Sequence, residues 1–165
     1  MLLERKILTA IAFASFAAVG AALFSQHVFS MLPCAWCVLQ RLIFIAIGLV
    51  ALVGALGTGN TLRRPISAAL VVALSISGMA AAWHQLTVAA LSFSCDQTLA
   101  DKIMTKSGLE AAVPWLFGIY ATCMDAAISI LGLDFAVWSL LLFGVFAVSS
   151  LATLVVSCRL PRNRG

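Results

Sequence analysis

The sequence predicts an all-α integral membrane protein: a bundle of four transmembrane helices with a long outer loop between helices 3 and 4. Three observations carry this expectation. Only 10% of the 165 residues are charged and 63% are hydrophobic, whereas soluble domains carry about 25% charged residues. Four stretches, residues 7–40, 42–62, 65–95 and 135–158, contain no Asp, Glu, Lys or Arg, and about 20 apolar residues suffice for a helix to cross a bilayer. The basic residues gather on one side of a four-span layout, as the positive-inside rule requires.

The spans are expected at residues 7–28, 38–57, 66–83 and 135–157. In lipid, only helices and closed barrels satisfy their own backbone groups. These runs lack the apolar/polar alternation of barrel strands and are too long for them. The first run follows Arg5 and Lys6, the flank of a cleaved signal peptide, but it is much longer than the usual apolar core of such a peptide. No Pro/Gly/Ser-rich linker divides the chain, so a single membrane domain over 1–165 is expected. The connection "GTGNTLRRP" holds the breakers Gly57, Gly59 and Pro65, and its shortness makes spans two and three antiparallel neighbours. Small residues in "AFASFAAVGAA" and "SISGMAAA" let helices approach closely in lipid.

Orientation follows from charge. Arg5, Lys6, Arg63, Arg64, Arg159, Arg162 and Arg164, seven of the ten basic residues, share one side, which is the cytoplasmic one. The outer side receives the turn at 26–37 and a loop from about residue 84 to 134, with Asp96, Asp101, Glu110, Asp125 and Asp134. The +4 net charge is thus a topology signal. A nucleic-acid face would need clustered Lys/Arg on a soluble surface, and none is present. Within the loop, "LEAAVPWLFGIY" is apolar but too short to span. It suits either a segment lying on the membrane surface or one folded against the bundle.

The cysteines carry the chemistry. Cys34, Cys37, Cys95 and Cys123 fall on the outer side, where disulfides persist, and Cys158 on the inner side, where they are rare. Pro33 suits the start of a helix. If span two begins there, Cys34, Cys37 and Arg41 share one helix face. The helix N-terminus and Arg41 favour a thiolate, and burial in lipid opposes it. Arg41 lies just inside a span, where a charge is costly unless it reaches the headgroups or is paired. Zinc held by four thiolates usually shows two close pairs. Here Cys95 and Cys123 are 28 apart and no ligand spacing links His27 to His84, so no metal is expected. Structural disulfides remain an alternative, but a two-residue insert closes a small, easily reduced ring, as in catalytic couples.

The combination in "QHVFSMLPCAWCVLQR" and "SCDQTL…YATCMDAAISILGLDFAVWSL", together with four spans, resembles the DsbB family of bacterial quinone-linked thiol oxidases over nearly the whole chain. The resemblance implies an enzyme of the bacterial inner membrane. Both termini would be cytoplasmic and the cysteine pairs periplasmic. It would reoxidise a DsbA-like dithiol oxidase and pass electrons to the membrane quinone pool, ubiquinone or menaquinone. It implies that Cys95 and Cys123 are the loop pair, with Cys95 forming the mixed disulfide with the partner. Cys34 would exchange with the loop pair through Cys123, and Cys37 would face the quinone. Arg41 matches the arginine beside the quinone ring, and His84 a histidine near that site. Trp36 departs from the small or aliphatic insert expected of the family. Alternatives are a DsbB paralogue with a dedicated substrate, an enzyme resembling vitamin K epoxide reductase (which places its Cys-x-x-Cys late in the chain), and a non-enzymatic membrane protein with stapled loops.

Overall fold

A computed structural model describes residues 2–57, 62–89, 98–124, 129–130 and 132–159. It contains α1 (Leu2–Val28), α2 (Ala35–Leu56), α3 (Arg63–Thr87), α4 (Leu99–Ser107), α5 (Leu109–Ala112), α6 (Pro114–Phe117), β1 (Ser129–Ile130), β2 (Leu133–Asp134) and α7 (Phe135–Arg159). Helices α1, α2, α3 and α7 are long and apolar enough to cross a membrane. They form an up-and-down bundle in which α1 packs on α2, α2 on α3 and α3 on α7, and α7 also touches α1. The fold class read from the sequence is therefore the observed one.

The helices run a few residues beyond the expected spans. An apolar run measures the hydrocarbon core, but a helix continues until something stops it. The α3 helix continues through His84 and Gln85 to Thr87, so His84 is helical and does not open the loop. At the same end of the bundle α2 begins at Ala35, with Cys34 as an extended N-cap after Pro33. The α1 helix stops where Ser30 turns left-handed, at φ 53°. There Met31 N donates to Ser25 O at 3.4 Å, across the end of the helix.

Lipid gives helices no hydrophobic reason to associate, so close packing and polar contacts must hold them. Phe44 of α2 stacks on Phe143 of α7 with centroids 4.1 Å apart, and Phe146 meets the same ring edge-on. Gly78 makes this possible, since a Cβ there would lie 2.6 Å from the Phe143 ring. At the basic end Glu4 is buried. It accepts from Ser157 Oγ at 2.7 Å and lies 3.8 Å from Arg64 Nη1, which joins α1, α7 and α3. Outward side chains such as Phe13, Ile76 and Val148 are exposed and apolar, as a surface facing acyl chains must be.

The segment between α3 and α7 folds back onto the bundle. A capping box starts α4: Thr98 N donates to Asp101 Oδ2 at 2.8 Å and Asp101 N to Thr98 Oγ1 at 3.3 Å. Met104 of α4 and Phe117 of α6 are buried against Val38 of α2. Tyr120 N donates to Pro33 O at 3.0 Å. Within "LEAAVPWLFGIY", Leu116 and Phe117 pack against the bundle while Trp115 and Tyr120 stay exposed. The strands β1 and β2 pair antiparallel and lead into α7.

The contact at Gly78 gives a test of bundle packing. Gly78→Ala should destabilise the detergent-solubilised protein by about 1–3 kcal/mol relative to Gly144→Ala. Position 144 has open space around it, and both changes gain the same helix propensity. Thermal unfolding midpoints of the two variants check this, and equal midpoints would contradict the packing described.

Candidate active site

The outer end of the bundle collects the chemically active side chains. Cys34 precedes the first turn of α2 and Cys37 lies within it, which brings their Sγ atoms to 3.1 Å. Cys34 is buried among Ala35, Trp36, Ala81 and Ala100, and Cys123 packs against the same cluster. The folded-back loop thus delivers Cys123 to Cys34. The three thiols differ in character. Cys34 is pushed up by its hydrogen bonds with Cys123 and Cys37 and by burial. Cys123 is held below the usual thiol range, chiefly by its hydrogen bond with Cys34. Cys34 therefore keeps its proton while Cys123 is the better thiolate.

Cys37 opens on a cavity of about 200 Å³ between α1, α2, α3 and α7. Its walls are mainly apolar, including Ala22, Phe44, Trp138 and Leu142, and its polar groups are Cys37, Gln40, Arg41 and Gln85 with two serines. Gln85 Nε2 donates to Cys37 Sγ at 3.2 Å. Gln40 Nε2 donates in turn to Gln85 Oε1 at 2.7 Å. Arg41 is only 6% exposed. Its Nη1 donates to Gln26 Oε1 of α1 at 2.6 Å and to Leu116 O of α6 at 3.2 Å. A charge inside a membrane protein is tolerated when it is paired or bonded in this way.

The expected site residues are not all brought together. Cys34, Cys37, Cys123 and Arg41 converge, whereas Cys95 lies outside the described residues. His84 is not part of the cavity wall; the next residue, Gln85, takes that place. Successive helical residues point about 100° apart, so His84 turns instead toward Trp36. Their rings stack with centroids 4.5 Å apart. That contact accounts for the bulky residue inside the Cys-x-x-Cys: Trp36 is a buried plug between α2 and α3, turned away from the cavity. His27 hydrogen-bonds through Nδ1 to Leu23 O at 2.9 Å on an exposed face. Sequence reasoning missed Gln26, Gln40 and Gln85. The available signal was three amides in otherwise apolar runs, since a buried amide in lipid must find a partner.

The donor set suits a thiol couple beside an apolar ligand with polar edges. A quinone ring fits that description: apolar walls for its faces, and Arg41, Gln40 and Gln85 as groups able to meet carbonyl oxygens. Among the described residues, no cluster of three or more His, Cys, Asp or Glu is arranged to hold a metal ion.

Comparison with known proteins identifies the family. The family model described as disulfide bond formation protein DsbB matches residues 4–153. Disulfide bond formation protein B of Herminiimonas arsenicoxydans is 36% identical, over 91% of this chain and 94% of its own length. The protein of the same name from Nitrosospira multiformis is 30% identical, over 92% of each. Disulfide bond formation protein B 1 of Pseudomonas syringae pv. syringae is 31% identical over 96% of this chain and 94% of its own. A four-span membrane protein that places a Cys-x-x-Cys against a loop thiol, and matches these relatives nearly end to end, belongs to the DsbB family of disulfide bond formation proteins.

Proposed function

We propose that this protein is a thiol:quinone oxidoreductase of the bacterial inner membrane that reoxidises a DsbA-type dithiol oxidase of the periplasm. The observation that carries the reading is the placement of Cys37. It touches Cys34 on one side and a mainly apolar cavity holding Arg41 on the other. One sulfur can thus receive electrons from a thiol relay and face a lipid-soluble acceptor. The basic end of the bundle lies in the cytoplasm, as the positive-inside rule requires, and the thiol end in the periplasm.

The relay runs through the chain's own sulfurs. A thiolate of the reduced partner attacks Cys95 of the Cys95–Cys123 disulfide, which forms the mixed disulfide at Cys95 and releases Cys123 as a thiolate. The Cys123 thiolate then attacks Cys34, since exchange needs a thiolate and an accessible sulfur. The Cys34–Cys37 bond breaks and its electron pair remains on Cys37. When bound, a quinone would supply the two-electron sink that lets the Cys34–Cys37 disulfide re-form. Arg41, Gln40 and Gln85 would hold its polar edges, while Phe44, Trp138 and Leu142 keep water from the thiolate. His84 acts on this site through Trp36, by fixing the turn that carries both cysteines.

Purified protein mixed with a reduced DsbA-type partner and a soluble ubiquinone analogue should reduce the quinone, followed by its absorbance. No rate above that of a Cys37→Ser control would sink the proposal. Arg41→Ala should raise the quinone concentration for half-maximal rate by about tenfold or more, the worth of a hydrogen bond from a charged group. Stoichiometric oxidation of the partner by Cys95 and Cys123 should persist in that variant. An unchanged quinone dependence would remove Arg41 from the site.

A further inference from the structure

We propose that Gln85 is a catalytic residue of this site, whose amide N–H holds the Cys37 thiolate released when the Cys34–Cys37 disulfide opens, and that Gln40 is the positioning residue that aims it. The inference rests on the redox role proposed above for Cys34 and Cys37. In the exchange step the Cys123 thiolate forms a bond to Cys34 Sγ. The Cys34–Cys37 bond breaks, and its electron pair stays on Cys37 Sγ. No proton is transferred and no net oxidation occurs. The negative charge simply moves from Cys123, at the loop, to Cys37, inside the bundle. That movement is uphill unless Cys37 finds a donor, because burial penalises an unpaired charge heavily.

The donor in place is an amide. Gln85 Nε2 lies 3.2 Å from Cys37 Sγ, and Gln85 is only 7% exposed. Its orientation is set from behind: Gln40, 3% exposed, donates to Gln85 Oε1 at 2.7 Å. With its oxygen occupied, the Gln85 amide presents N–H to the sulfur. A thiolate has no proton to give, so only that end of an amide can satisfy it. Among the described residues, the other charged and titratable groups about Cys37 are Cys34, Cys123 and Arg41. Cys34 and Cys123 are committed to the exchange, and Arg41 Nη1 is bonded to Gln26 and Leu116 O. Two glutamines on different helices, buried at the outer end of a membrane bundle, are explained by this task. A packing role alone would be served by leucine.

The test needs neither quinone nor partner. The full chain is prepared with Cys34, Cys95, Cys123 and Cys158 changed to Ser, leaving Cys37 as the target of a small neutral alkylating reagent. The ratio of alkylation rates at about pH 7 and about pH 10.5 reports thiolate formation and cancels access to the sulfur. Gln85→Leu should lower that ratio about tenfold, the loss of a hydrogen bond to a charged group. Gln85→Glu, nearly isosteric and still able to accept from Gln40, should lower it further, because it turns a carboxylate toward the sulfur. Gln40→Leu should give a smaller decrease, about threefold, by freeing the amide to rotate. A role in packing alone predicts the opposite order, with Glu closer to the parent than Leu. That order, or an unchanged ratio in both Gln85 variants, would overturn the inference. Quinone reduction by the unmodified chain is scored separately, so rejection of Gln85 leaves the proposed function standing, and rejection of that function leaves the thiolate measurement readable.

Discussion

The buried guanidinium of Arg41 is the constraint on which the outer half of this molecule depends. A charge placed one turn inside a membrane helix is costly unless it is paired or bonded, and here Nη1 donates to groups of two other elements, Gln26 of α1 and Leu116 O of α6. The second of these is a backbone carbonyl in the middle of the long loop. Satisfying Arg41 therefore ties residues 109–120 to the bundle, and the chain leaving that segment runs past Pro33, which accepts from Tyr120 N. Three residues later it arrives beside Cys34 as Cys123. The arginine thus shapes the cavity and also fixes the path by which the loop thiol reaches the membrane couple.

The same economy appears in the amides. Charged side chains in place of Gln40 and Gln85 would carry a large desolvation cost inside the bundle, and apolar ones would leave Cys37 with no donor from α3. An amide offers one donor end and one acceptor end without titrating. A chain of two of them can reach from α2 to α3 and back to a sulfur with both ends matched at the junction. Trp36 and His84 supply the complementary rigidity on the opposite face of the turn. Cys34 and Cys37 are therefore held between a stacked aromatic pair on one side and a hydrogen-bonded amide pair on the other.

How much of this was legible in the sequence depended on the kind of signal. The four spans could be read because lipid demands long charge-free runs, and nothing else in the chain imitates them. Their ends could not, because polar residues such as His84, Gln85 and Thr87 carry a helix beyond the hydrocarbon without changing its hydrogen bonding. The loop helices α5 and α6, four residues each, are far too short to be stable alone. They exist through contacts such as Phe117 with Met104 and Val38, which no local pattern announces. At the site, Cys34, Cys37 and Arg41 stood out by spacing. The encounter of Cys123 with Cys34 came from family resemblance alone. The resemblance pointed to His84, whereas the cavity wall carries Gln85; one position along a helix turns a side chain to a different face.

That one-position distinction bears on how the site divides its work. A titratable ring on the cavity side would make the environment of Cys37 change with pH. With Gln85 there instead, the hydrogen-bonding group beside the sulfur is constant across the range in which an unperturbed imidazole changes charge. His84 is stacked on Trp36, outside the cavity wall. The thiols outside the membrane-spanning segment carry the ionisation chemistry: Cys123 held down and Cys34 pushed up by the hydrogen bond they share. The amide beside Cys37 keeps its donor whatever the pH, so the group that meets this sulfur from α3 is fixed.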